Sequence, residues 1–404
     1  MDTTVNLAFF PFPTAWKAFL EYRKVPLTEG HFLDRASLNA RLAGFYLLSG
    51  QPRAAIEILE RALSQPSRPD LLVKLGLVCL FSGSLEASSV YFREALDQGF
   101  QTQEVYYWLG LTLVRQGFYE AALTVYEQGL QKYPEARELL EACSLVYVQM
   151  GNWSKACDLY NRILDRFGNN VDILNNQARC LEKLGRMEEA LDCYQRALKI
   201  APGDKTVLGN LGLLLGKLHR YQEAVACFRK ALSERDTDAG VYNNLAYCLA
   251  QTHHFEEALQ CYQKALEMEP EDENLLANTG NCLARLERYS EAVNFLNRAL
   301  SFCPRDTQLW LNKANCLMAL RKYSEALESL NTALALEPRN VRLLIGKANC
   351  LLAWGKTRRA LAFYTYTLKI NPKNRDALWG RALCLERLGR EEEALQYYNL
   401  ALGS

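Results

Sequence analysis

The sequence has almost no excess of charge of either sign. Its 47 lysines and arginines are balanced by 46 aspartates and glutamates, which leaves a formal net charge of +1. A strong basic surplus is the usual signature of a protein that binds nucleic acid or an anionic membrane. The composition therefore argues against nucleic acid as a partner. We also expect no membrane insertion, because no window reaches the roughly 18 consecutive apolar residues that a membrane-spanning helix needs.

The short motifs of common catalytic and cofactor sites are missing as well. No P-loop, GxSxG, HExxH or GxGxxG pattern occurs in a credible context. His253 and His254 are adjacent, but no third metal ligand is placed near them, and a solvated turn is the favoured interpretation. We therefore predict that the protein is not an enzyme and has no cofactor, no metal site and no catalytic residues.

The thirteen cysteines form no CxxC pair, and they do not cluster with the four histidines. Their spacing instead follows multiples of 34 residues. A small apolar position in helix packing explains this spacing better than disulfides or metal binding, because free cysteine behaves as a small buried hydrophobe. Free thiols imply a reducing compartment, and we expect a cytoplasmic protein. The cysteines that recur at one position are Cys180, Cys248, Cys282, Cys316, Cys350 and Cys384.

A period of 34 residues runs from Pro69 to the end of the chain. Numbering each unit from 1 to 34, small residues recur at positions 8, 20 and 27, large apolar or aromatic residues at positions 4 and 24, and proline at position 32. Gly often occupies position 15, where it lets the chain leave a helix through a left-handed residue. Self-similarity at this period predicts two helices in each unit. The units are 36–68, 69–102, 103–136, 137–170, 171–204, 205–238, 239–272, 273–306, 307–340, 341–374 and a shortened 375–404.

This pattern resembles the tetratricopeptide repeat. The resemblance implies an all-α fold, a right-handed α-solenoid or superhelix of about eleven helix–turn–helix units, with the first helix of each unit on the concave face. We divide the chain into residues 1–35, which cap the stack or form an arm, divergent units in 36–170, and consensus-like units in 171–404. The cap is the favoured role for residues 1–35, because the terminal units of a solenoid need a cover.

Asparagine recurs at positions 6 and 9, which the resemblance places on the concave face. Its amide has an acceptor oxygen and two donor hydrogens, so that a row of asparagines can hold an extended peptide by its main chain. The arrangement is similar to the asparagine ladder of the O-GlcNAc transferase superhelix. A solvated or locally bonded polar residue is the alternative. The predicted peptide-binding residues are Asn176, Asn210, Asn244, Asn278 and Asn312 at position 6 and Asn281, Asn315 and Asn349 at position 9.

Two further features bear on the concave face. Tyr107 and Trp108 at positions 5 and 6 are expected to face the groove as peptide-binding aromatics, since aromatic residues are enriched in binding hot spots. No unit carries lysine at position 5, so the sequence does not match the carboxylate clamp with which co-chaperones of this family bind acidic C-terminal tails.

The sequence therefore predicts a non-enzymatic scaffold that binds a protein or an extended peptide in its concave groove. Two alternatives stay open. One is a structural protein that assembles into homo-oligomers through its ends or its groove, and the other is the recognition arm of a larger enzyme.

Overall fold

The computed structural model describes residues 51–63, 69–232 and 238–403, together with Ala43 and Tyr46. These ranges contain twenty-one α-helices and no strand. The predicted all-α fold is therefore confirmed, while the prediction for residues 1–35 lies outside the described residues. The described residues fall into two compact units that divide between Pro202 and Gly203.

The first unit contains nine helices. They are α1 (Pro52–Leu63), α2 (Pro69–Phe81), α3 (Leu85–Asp97), α4 (Gln103–Arg115), α5 (Tyr119–Lys132), α6 (Arg137–Gln149), α7 (Trp153–Phe167), α8 (Val171–Lys183) and α9 (Met187–Ile200).

The second unit contains twelve. They are α10 (Lys205–Lys217), α11 (Tyr221–Ala231), α12 (Ala239–Gln251), α13 (Phe255–Met268), α14 (Glu273–Arg285), α15 (Tyr289–Phe302), α16 (Thr307–Ala319), α17 (Tyr323–Leu336), α18 (Val341–Ala353), α19 (Thr357–Ile370), α20 (Arg375–Arg387) and α21 (Glu391–Leu402).

Each unit is a stack of helical hairpins in which every helix packs against its neighbours in the chain. A small residue at position 8 sets the distance between the two helices of a hairpin. A Cβ added to Gly212 would lie 2.7 Å from the Phe228 ring, and one added to Gly280 would lie 2.9 Å from Leu296. The large residue at position 24 thus fills the space over the small residue at position 8 of the same hairpin.

The first helix of most hairpins begins at an Asn or Asp in position 34 of the preceding 34-residue repeat. The side-chain oxygen of this residue accepts a hydrogen bond from a backbone N–H in the first turn, which satisfies one of the donors left unpaired at a helix start. The capping residues are Asn170, Asp204, Asp238, Asp272, Asp306, Asn340 and Asn374.

In each hairpin from residue 69 onward, the turn between the two helices passes through a left-handed residue at position 15. Gly355 has a φ of 79°, and His253 and Glu287 adopt the same conformation with φ values of 63° and 60°. Such a residue closes a helix by a bond from the following N–H to a carbonyl one turn back. In α14, the N–H of Arg288 donates to the carbonyl of Leu283 at 2.9 Å.

An ion pair recurs at the start of the second helix. The cation at position 16 binds a glutamate at position 19, one helical turn later, with N–O distances of 2.6 to 3.4 Å. A carboxylate in the first turn also interacts favourably with the helix dipole. The pairs are Arg186–Glu189, Arg220–Glu223, Arg288–Glu291, Lys322–Glu325 and Arg390–Glu393.

All six cysteines at position 10 are buried, and all thirteen cysteines of the chain are free thiols. Burial raises the pKa of Cys248 and Cys316 to about 11. The Cys282 thiol donates to the carbonyl of Phe255 in the preceding hairpin at 3.3 Å. These observations agree with a role in packing between hairpins.

Candidate functional site

Four of the predicted asparagines lie on one face of the second unit. Asn210, Asn244, Asn278 and Asn312 are each half-buried and sit at the same position of α10, α12, α14 and α16. The 34-residue period puts the same position of successive first helices on the same side of the stack. Residues three apart in a helix share a face, so Asn281, Asn315 and Asn349 at position 9 belong to it as well. We call this surface the first-helix face.

Hydrogen bonds join some of these amides from one hairpin to the next. The Asn278 amide nitrogen donates to the side-chain oxygen of Asn243 at 3.1 Å. The Asn312 amide nitrogen donates to the side-chain oxygen of Asn281 at 2.8 Å, and Gln308 donates to Asn312 at 2.7 Å. These bonds fix the amide planes before any ligand arrives.

The lateral bonds leave hydrogen-bonding capacity on several amides. Asn281 uses its oxygen, so its two N–H donors stay available, while Asn278 uses a donor and keeps its oxygen. Neither Asn244 nor Asn315 has a side-chain hydrogen bond to another described residue. Since an amide can make up to four hydrogen bonds, the first-helix face presents both donors and acceptors.

Asn349 and Asn176 have different surroundings. The exposed Asn349 accepts a hydrogen bond from the hydroxyl of the buried Tyr364 at 2.5 Å, so part of its capacity is used within the fold. Asn176 lies half-buried on α8 beside the buried Asn175 and belongs to the first unit. The first-helix face of the second unit therefore carries four asparagines at position 6.

Tyr107 and Trp108 do not form an open aromatic surface. Their exposed fractions are 9% and 7%, and their rings meet edge to face at 5.1 Å, with Phe81 against Trp108 at 6.1 Å. The prediction that Tyr107 and Trp108 face a groove as contact residues is therefore wrong. The physical reason is that α4 packs against first helices on both sides, so that every residue from Val105 to Val114 is buried. The run VYYWLGLTLV is apolar around the whole helix, which is typical of a buried helix.

Exposed aromatic side chains lie elsewhere on the second unit. Tyr247 at position 9 is 46% exposed and its ring meets Tyr221 edge to face at 6.3 Å. Trp379 at position 5 is 51% exposed and packs against Tyr398 at 4.8 Å. Both are anchored at one ring edge and open at the other, which suits contact with a partner.

The described residues offer no site for a metal and no membrane-spanning segment. No group of three or more His, Cys, Asp or Glu side chains among them could hold a metal ion. The searched helices are all too short or too polar to cross a bilayer. His253 and His254 lie in the turn between α12 and α13, where a ring nitrogen of His254 is 3.0 Å from the Thr252 hydroxyl.

Family models for the tetratricopeptide repeat match residues 103–144, 144–202, 169–235, 206–271, 311–364 and 351–404. These matches cover more than half of the chain. The chain belongs to the tetratricopeptide repeat family. A model described as anaphase-promoting complex, cyclosome, subunit 3 also matches residues 251–333. Tetratricopeptide repeats support a role as a protein–protein interaction scaffold, and proteins built from them are generally non-catalytic.

Solved structures of other tetratricopeptide repeat proteins resemble this fold. The C-terminal part of a repeat protein from Cytophaga hutchinsonii has 15% identity and a TM-score of 0.51, covering 59% of this chain and 98% of that one. YrrB, described as having an unusual peptide-binding site, has 22% identity and a TM-score of 0.44, covering 47% and 98%. Yeast Tom70 has 15% identity and a TM-score of 0.40, covering 91% of each chain. No curated protein sequence matches the chain significantly.

Proposed function

We propose that this protein is a non-enzymatic scaffold that binds an extended peptide, or an extended segment of a partner protein, along its first-helix face. The amides at positions 6 and 9 would pair with N–H and C=O groups of the bound main chain. Thirteen free thiols favour the cytoplasm as its location.

The main support for this proposal is the set of hydrogen bonds between asparagine side chains of successive hairpins. An unconstrained exposed amide loses side-chain entropy when it binds a ligand. Asn278 and Asn312 are already held by Asn243 and Asn281, so that less entropy remains to be lost. Asn278 keeps an acceptor and Asn281 keeps donors, which matches the alternation of N–H and C=O along an extended peptide.

Main-chain recognition gives little discrimination between sequences. We expect exposed side chains on the same unit to supply it, in particular Tyr247 and Trp379. Because the asparagines would bind any extended main chain and only a few aromatic side chains would select among sequences, we expect many peptides to bind weakly. These peptides should share an extended conformation and one or two apolar residues.

The proposal is tested with peptides selected from a random displayed library on the full chain. Replacing Asn210, Asn244 and Asn278 together by Ala should weaken the selected peptides about tenfold, which corresponds to loss of two or three hydrogen bonds of about 0.5–1.5 kcal/mol each. Fluorescence anisotropy measures the affinity and circular dichroism the helix content.

The matched control replaces three exposed asparagines of second helices, Asn294, Asn297 and Asn331. This variant should bind the same peptides as tightly as the wild type. The proposal is wrong if both triple variants bind equally well, or if selection on the full chain yields no binding peptide.

A further inference from the structure

In the second unit, one hairpin lacks the glutamate that every other hairpin there carries at position 19. In residues 341–374, position 16 is Lys356 and position 19 is Arg359, so that two cations stand where five other hairpins place a cation and a glutamate. Arg358 adds a third positive charge between them. The first turn of α19 therefore contains no acidic residue, although a cation there is unfavourable to the helix dipole.

A fourth cation reaches this turn from the next hairpin. Arg387 of α20 donates from its guanidinium to the carbonyl of Leu352 at 3.2 Å, near the end of α18. All four cations are exposed, and none forms an ion pair with a described carboxylate. We call Lys356, Arg358, Arg359 and Arg387 the cationic turn.

The charge of the surrounding sequence is equally one-sided. Residues 338–375 contain nine lysines and arginines and no aspartate or glutamate. The formal charge of +1 for the whole chain conceals this local surplus. A like-charge cluster destabilises a helix, and departures from a local sequence rule are expected at functional sites.

An aromatic ring lies within the cationic turn. Trp354 is 42% exposed, stacks on Tyr323 with ring centroids 6.3 Å apart, and has the Lys356 ammonium 5.4 Å from its ring centroid. The other hairpins of the second unit have a leucine or threonine at this position. Exposed tryptophan beside arginine is the composition of a protein-binding surface.

We propose that the cationic turn binds a short acidic segment of a partner polypeptide, whose carboxylates pair with the four cations while an apolar side chain packs on Trp354. This surface is formed by a hairpin turn and is distinct from the first-helix face.

The neighbouring turns decide the kind of partner. The turn before holds the Lys322–Glu325 ion pair, and the turn after holds Glu391, Glu392 and Glu393, of which Glu393 pairs with Arg390. A flat anionic membrane or a long nucleic acid that extended over the turn after would meet the carboxylates of Glu391 and Glu392. These two turns are two hairpin steps apart, roughly 20 Å at interhelical distances of 8–10 Å, which suits an extended segment of about six residues.

The test titrates fluorescein-labelled hexaglutamate and hexaglutamine peptides onto the full-length protein and follows anisotropy. We expect the wild type to bind hexaglutamate and not hexaglutamine, with affinity that falls as salt is added. Arg359→Glu restores the ion pair with Lys356 that the other hairpins have. It should weaken hexaglutamate binding about tenfold, because one attractive contact becomes repulsive and Lys356 is paired with the new glutamate.

Folding is controlled within the same experiment. Since Arg359→Glu recreates a favourable helix start, its thermal unfolding midpoint should equal or exceed that of the wild type. Arg220→Glu is the charge-matched control, because it changes the net charge by the same amount at position 16 of another hairpin. It should leave hexaglutamate binding unchanged.

Any of four results in the binding experiment would overturn the proposal. The wild type does not bind hexaglutamate, Arg359→Glu does not reduce binding, Arg220→Glu reduces binding equally, or phosphatidylserine vesicles or single-stranded RNA bind more tightly than hexaglutamate. A second copy of the chain as the true partner would appear as a concentration-dependent mass in light scattering that Arg359→Glu abolishes, and this too would overturn it.

Discussion

At the scale of single residues, the hydroxyl of the tyrosine at position 24 finds a hydrogen-bond partner only where position 9 or position 12 of its hairpin supplies an acceptor, as Asn349 does for Tyr364. Tyr194 donates to Glu182 at 2.8 Å and Tyr398 donates to Glu386 at 2.6 Å. In the hairpins 103–136 and 137–170, position 12 is valine, and the buried hydroxyls of Tyr126 and Tyr160 have no hydrogen-bond partner among the described residues. A buried hydroxyl without a partner costs free energy.

Removing the Tyr126 hydroxyl should therefore not destabilise the fold. We expect Tyr126→Phe to leave the free energy of unfolding unchanged or to raise it by up to about 1 kcal/mol. Tyr194→Phe removes a bonded hydroxyl at the same position and should lower it by about 1–2 kcal/mol. Urea unfolding followed by circular dichroism compares the two, and equal losses in both variants would contradict the interpretation.

At the scale of helices, most boundaries could be predicted from the sequence because the same physical requirements return every 34 residues. Pro, Gly and the Asn or Asp at position 34 mark ends and starts that depend only on local chemistry. The burial of Tyr107 and Trp108 could not be read from position alone, since it depends on how closely α4 is enclosed by other helices. The sequence feature that does indicate this burial is the run of apolar residues on all sides of α4.

Two glycines of α10 allow the effect of close packing on stability to be distinguished from the effect of helix propensity. Gly212 lies against Phe228, whereas a Cβ added to Gly209 would have no atom within 4 Å. We expect Gly212→Ala to lower the free energy of unfolding by about 1–3 kcal/mol through overpacking. Gly209→Ala should raise it by about 0.5–1 kcal/mol, because alanine loses less backbone entropy in a helix.

Thermal and urea unfolding measure both glycine variants. If Gly212→Ala were as stable as Gly209→Ala, the close approach of the two helices would not be the reason for a small residue at position 8.

At the scale of the whole molecule, the sequence predicts which amides share a face but not how they bond to one another. Asn278–Asn243 and Asn312–Asn281 use different positions, because the bond depends on the distance and rotation between successive first helices. The overall composition does not reveal the cationic turn. Net charge sums over the chain, and the surplus in residues 338–375 is cancelled elsewhere.

The ion pairs at the second-helix starts predict a response to acid. Hydrogen bonds from Arg186, Arg220 and Arg288 hold the pKa of Glu189, Glu223 and Glu291 below the usual value of 4.5. A folded-state pKa below the unfolded one stabilises the fold above the unfolded pKa, and this stabilisation is lost as pH falls through the folded pKa. The midpoint of thermal unfolding should therefore drop between about pH 5 and pH 3.

Replacing Glu189, Glu223 and Glu291 by Gln isolates this contribution. The triple variant should unfold at a lower temperature than the wild type at neutral pH, with a shallower loss on acidification. Parallel curves for the two proteins would mean that other carboxylates cause the acid response.

The Asn or Asp at the end of each unit also bears on how such a chain can change length. Asp272 and Asp306 each cap the helix that follows, so excising residues 273–306 would join Asp272 to Thr307 with an intact cap at the new junction. Gene duplication or loss in steps of one repeat would then preserve every remaining hairpin. If the proposed function holds, lengthening or shortening the row of asparagines by such steps would change the length of peptide that the protein accommodates.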